Sequence, residues 1–118
     1  MASEARQLHL FFFPMMAPGH TLPMLDMAKL FARRGVRASF VTTPSNSPAV
    51  AASLARAIDS GHPVQTLLVD FPTAAAGVPE GCDDLSSAAS LDTQIRLLAS
   101  TAVLRPAFER LLREHRPD

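Results

Sequence analysis

From Leu8 onward, short apolar runs alternate with longer stretches in which apolar residues return every three or four positions. Leu8 to Phe13 is nearly continuously apolar, the pattern of a strand covered on both faces, and Pro14 removes the donor that would extend its ladder. Met15 to Gly19 reads as a turn. Met24, Met27, Ala28 and Phe31 then recur at helical spacing, while Asp26, Lys29 and Arg33 share another face. This predicts a helix that starts no earlier than about His20 or Thr21, tolerates Pro23 in its first turn, and ends at Gly35 with Arg33 and Arg34 against its carboxyl end.

Arg37 to Thr42 predicts a second strand, opening into the turn TTPSNSP. Ser47 is the expected cap and Pro48 the first residue of a helix that carries Val50, Leu54 and Ile58 to about Ser60, where Gly61 stops it. Val64 to Val69 predicts a third strand. The alternation of strand and helix implies parallel pairing through crossovers, and hence an α/β fold. Asp70 to about Ala88 is broken by glycine and proline and has no period, so it is expected to be a long loop and a candidate substrate-facing segment. An ordinary surface excursion fits that spacing equally well. From Leu91 a long helical pattern places Leu91, Ile95, Leu98 and Ala102 on one stripe, with Pro106 expected to kink or divide it. Phe108, Leu111 and Leu112 continue the apolar face, and Glu109 with Arg113 and Arg110 with Glu114 are candidate ion pairs. Three strands make an incomplete sheet, which is the expectation for the beginning of a larger protein.

Composition narrows the function classes. The 118 residues are 47% apolar, enough for a core, and the 11 basic residues balance the 11 acidic ones. That balance gives no electrostatic reason to expect nucleic acid or an anionic membrane surface as partner. No run approaches the roughly 20 apolar residues of a membrane helix. Leu8 to Ala17 is interrupted by proline and lacks a small-residue cleavage site, so it reads as a strand rather than a signal peptide. The single cysteine, Cys82, excludes an internal disulfide and fits a reducing, cytoplasmic location. No Cys/His spacing suggests a metal, and the turn after the first strand has only Gly19, without a phosphate-binding glycine pattern. No bound cofactor is expected.

The residues that bear chemistry are few. His20 stands at the carboxyl end of the first strand, where open α/β sheets place their ligands, and imidazole is a proton acceptor near neutral pH. The residues alone allow two roles, a general base or a polar residue closing the helix. His9 is expected within the strand, His62 in a turn and His115 at a helix end, none with an evident partner. Met15 and Met16 on the loop are either core filler or the wall of an apolar pocket.

The succession FFFPMMAPGHTLPMLDMAKLFARRG, VTTPSN, GVPEGCD and FERLLREHRPD resembles the N-terminal part of a plant UDP-dependent glycosyltransferase of the inverting family 1. The likeness runs over nearly the whole chain after Gln7. It implies a two-domain GT-B fold, of which Met1 to Gln7 would be a flexible lead-in and residues 8–118 an incomplete, Rossmann-like acceptor-binding domain. A second domain, absent here, would hold the nucleotide sugar. His20 matches the family's catalytic base, which takes the proton of an acceptor hydroxyl. Met16 and Gly19 match positions at the acceptor and donor, and the glycine would allow a ligand close to the backbone. The histidine's orienting aspartate lies beyond the next strand in the family, and Asp118 matches the aspartate leading into that strand. The resemblance thus implies a small-molecule acceptor such as a flavonoid, phenolic, terpenoid or hormone, and a UDP-sugar engaged only together with the second domain. It also implies that this polypeptide alone transfers no sugar. The other reading is a truncated non-catalytic α/β module acting by small-molecule binding or protein association.

Overall fold

The computed structural model describes residues 6–118, so most of the lead-in at Met1 to Gln7 lies outside the described residues. Three parallel strands, β1 (His9–Phe12), β2 (Arg37–Thr42) and β3 (Val64–Leu68), form one sheet in the order β1-β2-β3. His9 to Phe12 align with Arg37 to Phe40, and Ala38 to Thr42 with Val64 to Leu68. The helices between them are α1 (Pro18–Arg33) and α2 (Ser47–Asp59). This is the α/β arrangement that the alternating pattern implies.

Strand alternation divides the core into two layers. On one face Phe12, Ala38, Phe40 and Val64 pack against Leu25, Ala28 and Ala32 of α1 and Val50 and Leu54 of α2. On the other, Phe11, Phe13, Val41 and Leu67 meet a layer built from the chain after β3, including Val69, Phe71, Val78, Cys82, Leu97, Leu104 and Phe108. β2 is buried from Ala38 to Thr42, as a central strand covered on both sides must be.

Local chemistry moves several boundaries. α1 begins at Pro18 rather than His20 or Thr21, because Pro18 itself occupies the first turn and extended Ala17 is the cap. Pro23 therefore lies inside the helix, not in its first turn, and the Gly19 carbonyl lacks its usual donor. α2 is capped by Asn46 instead of Ser47, and the Asn46 side chain is directed away from the helix amides. The segment after β3 holds a short α3 (Thr73–Ala76) and a 3-10 turn (Leu85–Ser87) within an otherwise irregular path.

The expected long helix is two helices, α4 (Leu91–Ala99) and α5 (Arg105–His115), joined by a 3-10 turn at Thr101–Leu104. The break falls at Ser100 and not at Pro106, whose missing N–H costs nothing in the first turn of α5. Ser100 Oγ donates to the Arg96 and Leu97 carbonyls at 2.5 and 3.2 Å, competing with the helix for its own acceptors. The stripe of Leu91, Ile95 and Leu98 faces outward, with Leu91 70% exposed, while Leu97 and Leu104 turn inward. Of the anticipated ion pairs Glu109 meets Arg113 at 4.0 Å, but its shorter partner is Arg105 at 2.7 Å, and no Arg110 to Glu114 pair forms among the described residues.

Candidate acceptor site at the strand carboxyl ends

Three loops meet where β1 and β2 end. In the first, Ala17 N–H donates to the Met15 carbonyl at 2.7 Å, and the Ala17 carbonyl accepts from His20 N, Thr21 N and Thr21 Oγ, each at 3.0 Å. The chain thereby reverses within a few residues after Pro14 and enters α1. In the second, Asn46 N and Ser47 N donate to the Thr43 carbonyl, closing the turn that precedes α2. The third is the segment after β3. Its Leu85 N–H donates to the Met16 carbonyl at 2.7 Å, and its Asp83 and Asp84 carboxylates reach the second loop.

Between the first loop and the α4–α5 junction lies an apolar cleft of about 310 Å³. Phe13, Pro14, Met15 and Met16 form one wall, and Thr101, Leu104, Arg105 and Phe108 the other. The Phe13 and Phe108 rings lie 4.8 Å apart between centroids, fixing the wall by aromatic packing. Arg105 is the charged group at the cleft, and its Nε donates to Glu109 Oε1 at 2.7 Å. The Arg105 guanidinium holds the Glu109 carboxyl below its ordinary range. An apolar cleft with few polar groups suits a small, largely apolar molecule.

The structure places Met16 in this wall, buried. His20 is the third residue of α1 and exposed, outside the residues that line the cleft. Among the histidines of the described residues only His9 and His115 have side-chain hydrogen bonds or ion pairs, so no carboxylate orients the His20 imidazole there. Gly19 is also exposed, and a Cβ at that position would meet nothing within 4 Å, so packing within this chain does not require glycine. Asp26 lies on another part of α1, in a groove of about 760 Å³ with Lys29, Arg33, Arg56 and His62. That groove adjoins the carboxyl ends of α1 and α2, hence the amino ends of the strands, opposite the catalytic edge of an open sheet. Among the described residues no group of three or more His, Cys, Asp or Glu side chains is placed to hold a metal ion.

Two polar constellations escaped sequence reasoning. His9, Ser39 and Gln65 form a buried polar line across all three strands, with His9 Nε2 to Ser39 Oγ at 2.7 Å and Gln65 Nε2 donating to Ser39 Oγ at 2.8 Å. Ser39 and Gln65 are register partners, whereas His9 aligns with Arg37 and reaches Ser39 diagonally on the same face of the sheet, and neither relation is visible in one sequence. The second is the pair Asp83 and Asp84, 5% and 4% exposed inside a segment that looked solvent-facing. The sole signal was two adjacent acids beside an apolar cysteine.

An anthocyanin 3'-O-beta-glucosyltransferase of Gentiana triflora is 42% identical over 112 residues, which is 95% of this chain and 23% of that enzyme. A scopoletin glucosyltransferase of Nicotiana tabacum is 41% identical over 95% of this chain and 24% of its own length. Among solved structures, UGT73P12 of Glycyrrhiza uralensis, complexed with glycyrrhetinic acid 3-O-monoglucuronide, superposes with a TM-score of 0.85 at 28% identity over 96% of this chain and 23% of that one. The chain matches the N-terminal part of the plant UDP-glycosyltransferases. No family model matches it. The chain spans about a quarter of the length of these relatives. No helix among its described residues is long and apolar enough to cross a membrane.

Proposed function

We propose that this chain forms the acceptor side of a UDP-sugar-dependent glycosyltransferase site for a hydroxylated plant metabolite of phenolic type. The observation that carries the reading is the apolar cleft walled by Met15 and Met16 at the carboxyl end of β1, on the loop that leads directly into His20. In this reading the acceptor's ring system enters the cleft and its hydroxyl emerges toward the start of α1. His20 takes the hydroxyl proton as the oxygen attacks the anomeric carbon, UDP departs, and the configuration inverts. An alcohol or phenol is a weak nucleophile until a base removes its proton, and an exposed imidazole is open to such a substrate. Gly19 leaves space beside it. The sugar donor is held by the remainder of a two-domain protein, and these 118 residues alone transfer no sugar. Buried, unpaired Cys82 supports a cytoplasmic setting.

Scopoletin, itself fluorescent, tests the cleft directly. Saturable binding to the chain is expected, abolished by Thr101→Trp, which fills the cleft, and retained by His20→Ala, which lies outside it. Absence of binding, or binding indifferent to Thr101→Trp, overturns the acceptor-site reading. With UDP-glucose and scopoletin the chain is expected to give no glucoside, and sustained product refutes the claim of inactivity. In a chimera carrying residues 6–118 in place of the matched segment of the Gentiana triflora enzyme, His20→Ala is expected to lower transfer by about 10²- to 10⁴-fold. Retained transfer removes His20 from the role of base.

A further inference from the structure

We propose that Asp84, assisted by Asp83, is a positioning residue, through which the segment after β3 sets the turn beside the start of α1. The inference rests on the reading of that region as the transfer site. Asp84 accepts on both carboxylate oxygens. Oδ1 takes Ser86 N at 2.8 Å and Ser86 Oγ at 2.5 Å, and Oδ2 takes Asn46 Nδ2 at 2.9 Å. Asn46 Nδ2 also donates to Thr43 Oγ at 3.1 Å, so one amide fixes the turn internally and ties it to the segment after β3. Asp83 Oδ2 accepts from Ser45 N at 3.1 Å, while its buried Oδ1 has no partner among the described residues. The same segment holds the Met16 carbonyl through Leu85 N. It therefore grips both loops that converge on α1.

The grip reaches the base through Thr21, the residue after His20. Thr21 and Asn46 line one small cavity with Met15, Met16 and Thr43, and both also line a shallow pocket with Leu25 and Val50. A shift of Asn46 thus changes the packing of the first turn of α1. Two carboxylates buried this deeply are costly unless their oxygens are matched, and Asp84 is matched on both. Aspartate at position 46 breaks this. Two facing carboxylates present only acceptors, with no proton between them, and repel.

That repulsion supplies the test. In Asn46→Asp, amide hydrogen exchange at Ser45 and residue 46 is expected to rise at least about tenfold, and the His20 ring and Thr21 amide resonances to move. The exchange of Phe40 and Val41 amides in β2 reports whether the fold is intact. In the reciprocal pair Asn46→Asp with Asp84→Asn, the amide of residue 84 donates to the carboxylate of residue 46 and its carbonyl serves Ser86. Protection and the His20 and Thr21 resonances are expected to return. If Asn46→Asp loses protection in β2, Asn46→Ala removes the same contact with Asp84 left in place and no new charge, and the same local rise is expected. Unchanged exchange at Ser45 and residue 46, unmoved His20 and Thr21 resonances, or no recovery in the reciprocal pair overturns the proposal. None of these readouts needs acceptor or sugar. They therefore stand or fall separately from scopoletin binding and the transfer experiments.

Discussion

Ser39→Ala isolates the polar line that crosses the sheet. Ser39 is fully buried in the central strand, and its hydroxyl is the common partner of His9 and Gln65. Gln65 donates to Oγ, which leaves the hydroxyl proton free to be donated to His9 Nε2. That direction requires a neutral imidazole, and burial lowers the readiness of His9 to protonate, with the nearby Arg37 charge acting in the same sense. A backbone hydrogen bond at His115 acts in the opposite sense without reversing the result. Removing Oγ leaves His9 Nε2 buried without a partner, at a cost of about 1–3 kcal/mol. Half-buried Gln65 turns to water and loses about 0.5–1.5 kcal/mol of net hydrogen bonding. The expected loss is about 2–4 kcal/mol, a large share of the roughly 5–15 kcal/mol that holds an ordinary domain together. In urea this lowers the midpoint by about 1–2 M. The chain has no Trp or Tyr, so far-UV circular dichroism at pH 7.5 is the suitable probe. Ser53→Ala, in the α1–α2 groove, is the control and should change stability by less than about 0.5 kcal/mol. The wild type should also weaken below pH 6.5, the ordinary value of histidine, because the unfolded His9 binds a proton that the folded one resists. A loss below about 0.5 kcal/mol in Ser39→Ala at pH 7.5 refutes the reasoning.

Two further substitutions probe the ends of the same layer. Asp118 accepts from His9 N at 2.9 Å and pairs with Arg6, and these contacts lower its carboxyl below the ordinary value of 3.8. Its stabilisation is present above that value and lost as pH falls through the lowered one, so Asp118→Asn should be less stable than wild type near pH 6 and equal to it in strong acid; a difference independent of pH in acid-unfolding curves contradicts the assignment. Phe108 is half-buried against Phe13 and Phe11, at ring-centroid distances of 4.8 and 6.2 Å. Phe108→Ala should cost about 1–3 kcal/mol in urea unfolding and weaken scopoletin binding, and unchanged affinity would remove this wall of the cleft from the acceptor site.

What the sequence made legible was whatever depends on local period and punctuation. β2 falls at Arg37–Thr42 as expected, and the parallel order follows from alternation. The miss at α4 is instructive. Leu91, Ile95 and Leu98 form the more apolar stripe, yet the side that α4 buries is that of Leu97. Amphipathicity identifies a helix, but the rotation of a short helix is decided by what it must cover, here the core layer that holds Met16 and Val41. Asn46 is a similar case. Its residue type suits a helix cap, but its side chain is oriented by its NH2, which donates to the Asp84 carboxylate and Thr43 Oγ1, and no helix amide donates to its side-chain carbonyl. Contacts between positions 38 residues apart leave no trace in local pattern.

The histidines show why residue type alone left the site open. His9 and His20 flank the same strand and turn, and sequence marks neither as buried or free. In the fold, His9 is enclosed, with its ring engaged by Ser39 and its backbone by Asp118 on both sides, at 2.9 Å through His9 N and 2.7 Å through its carbonyl. Arg116, in a left-handed conformation at φ 47°, turns the chain after α5 toward that edge of β1. An imidazole so engaged has no vacancy for a substrate proton. His20 has the reverse character, exposed at the first turn of a helix whose approach is fixed by hydrogen bonds at Ala17 and Met16. A general base needs a rigid backbone and an open ring together, because the ring must meet a hydroxyl that arrives with the substrate. Among the histidines of the described residues, only His20 combines that backbone with a place at the strand carboxyl ends, so the proposal that it is the base rests on placement and exposure rather than on the presence of a histidine.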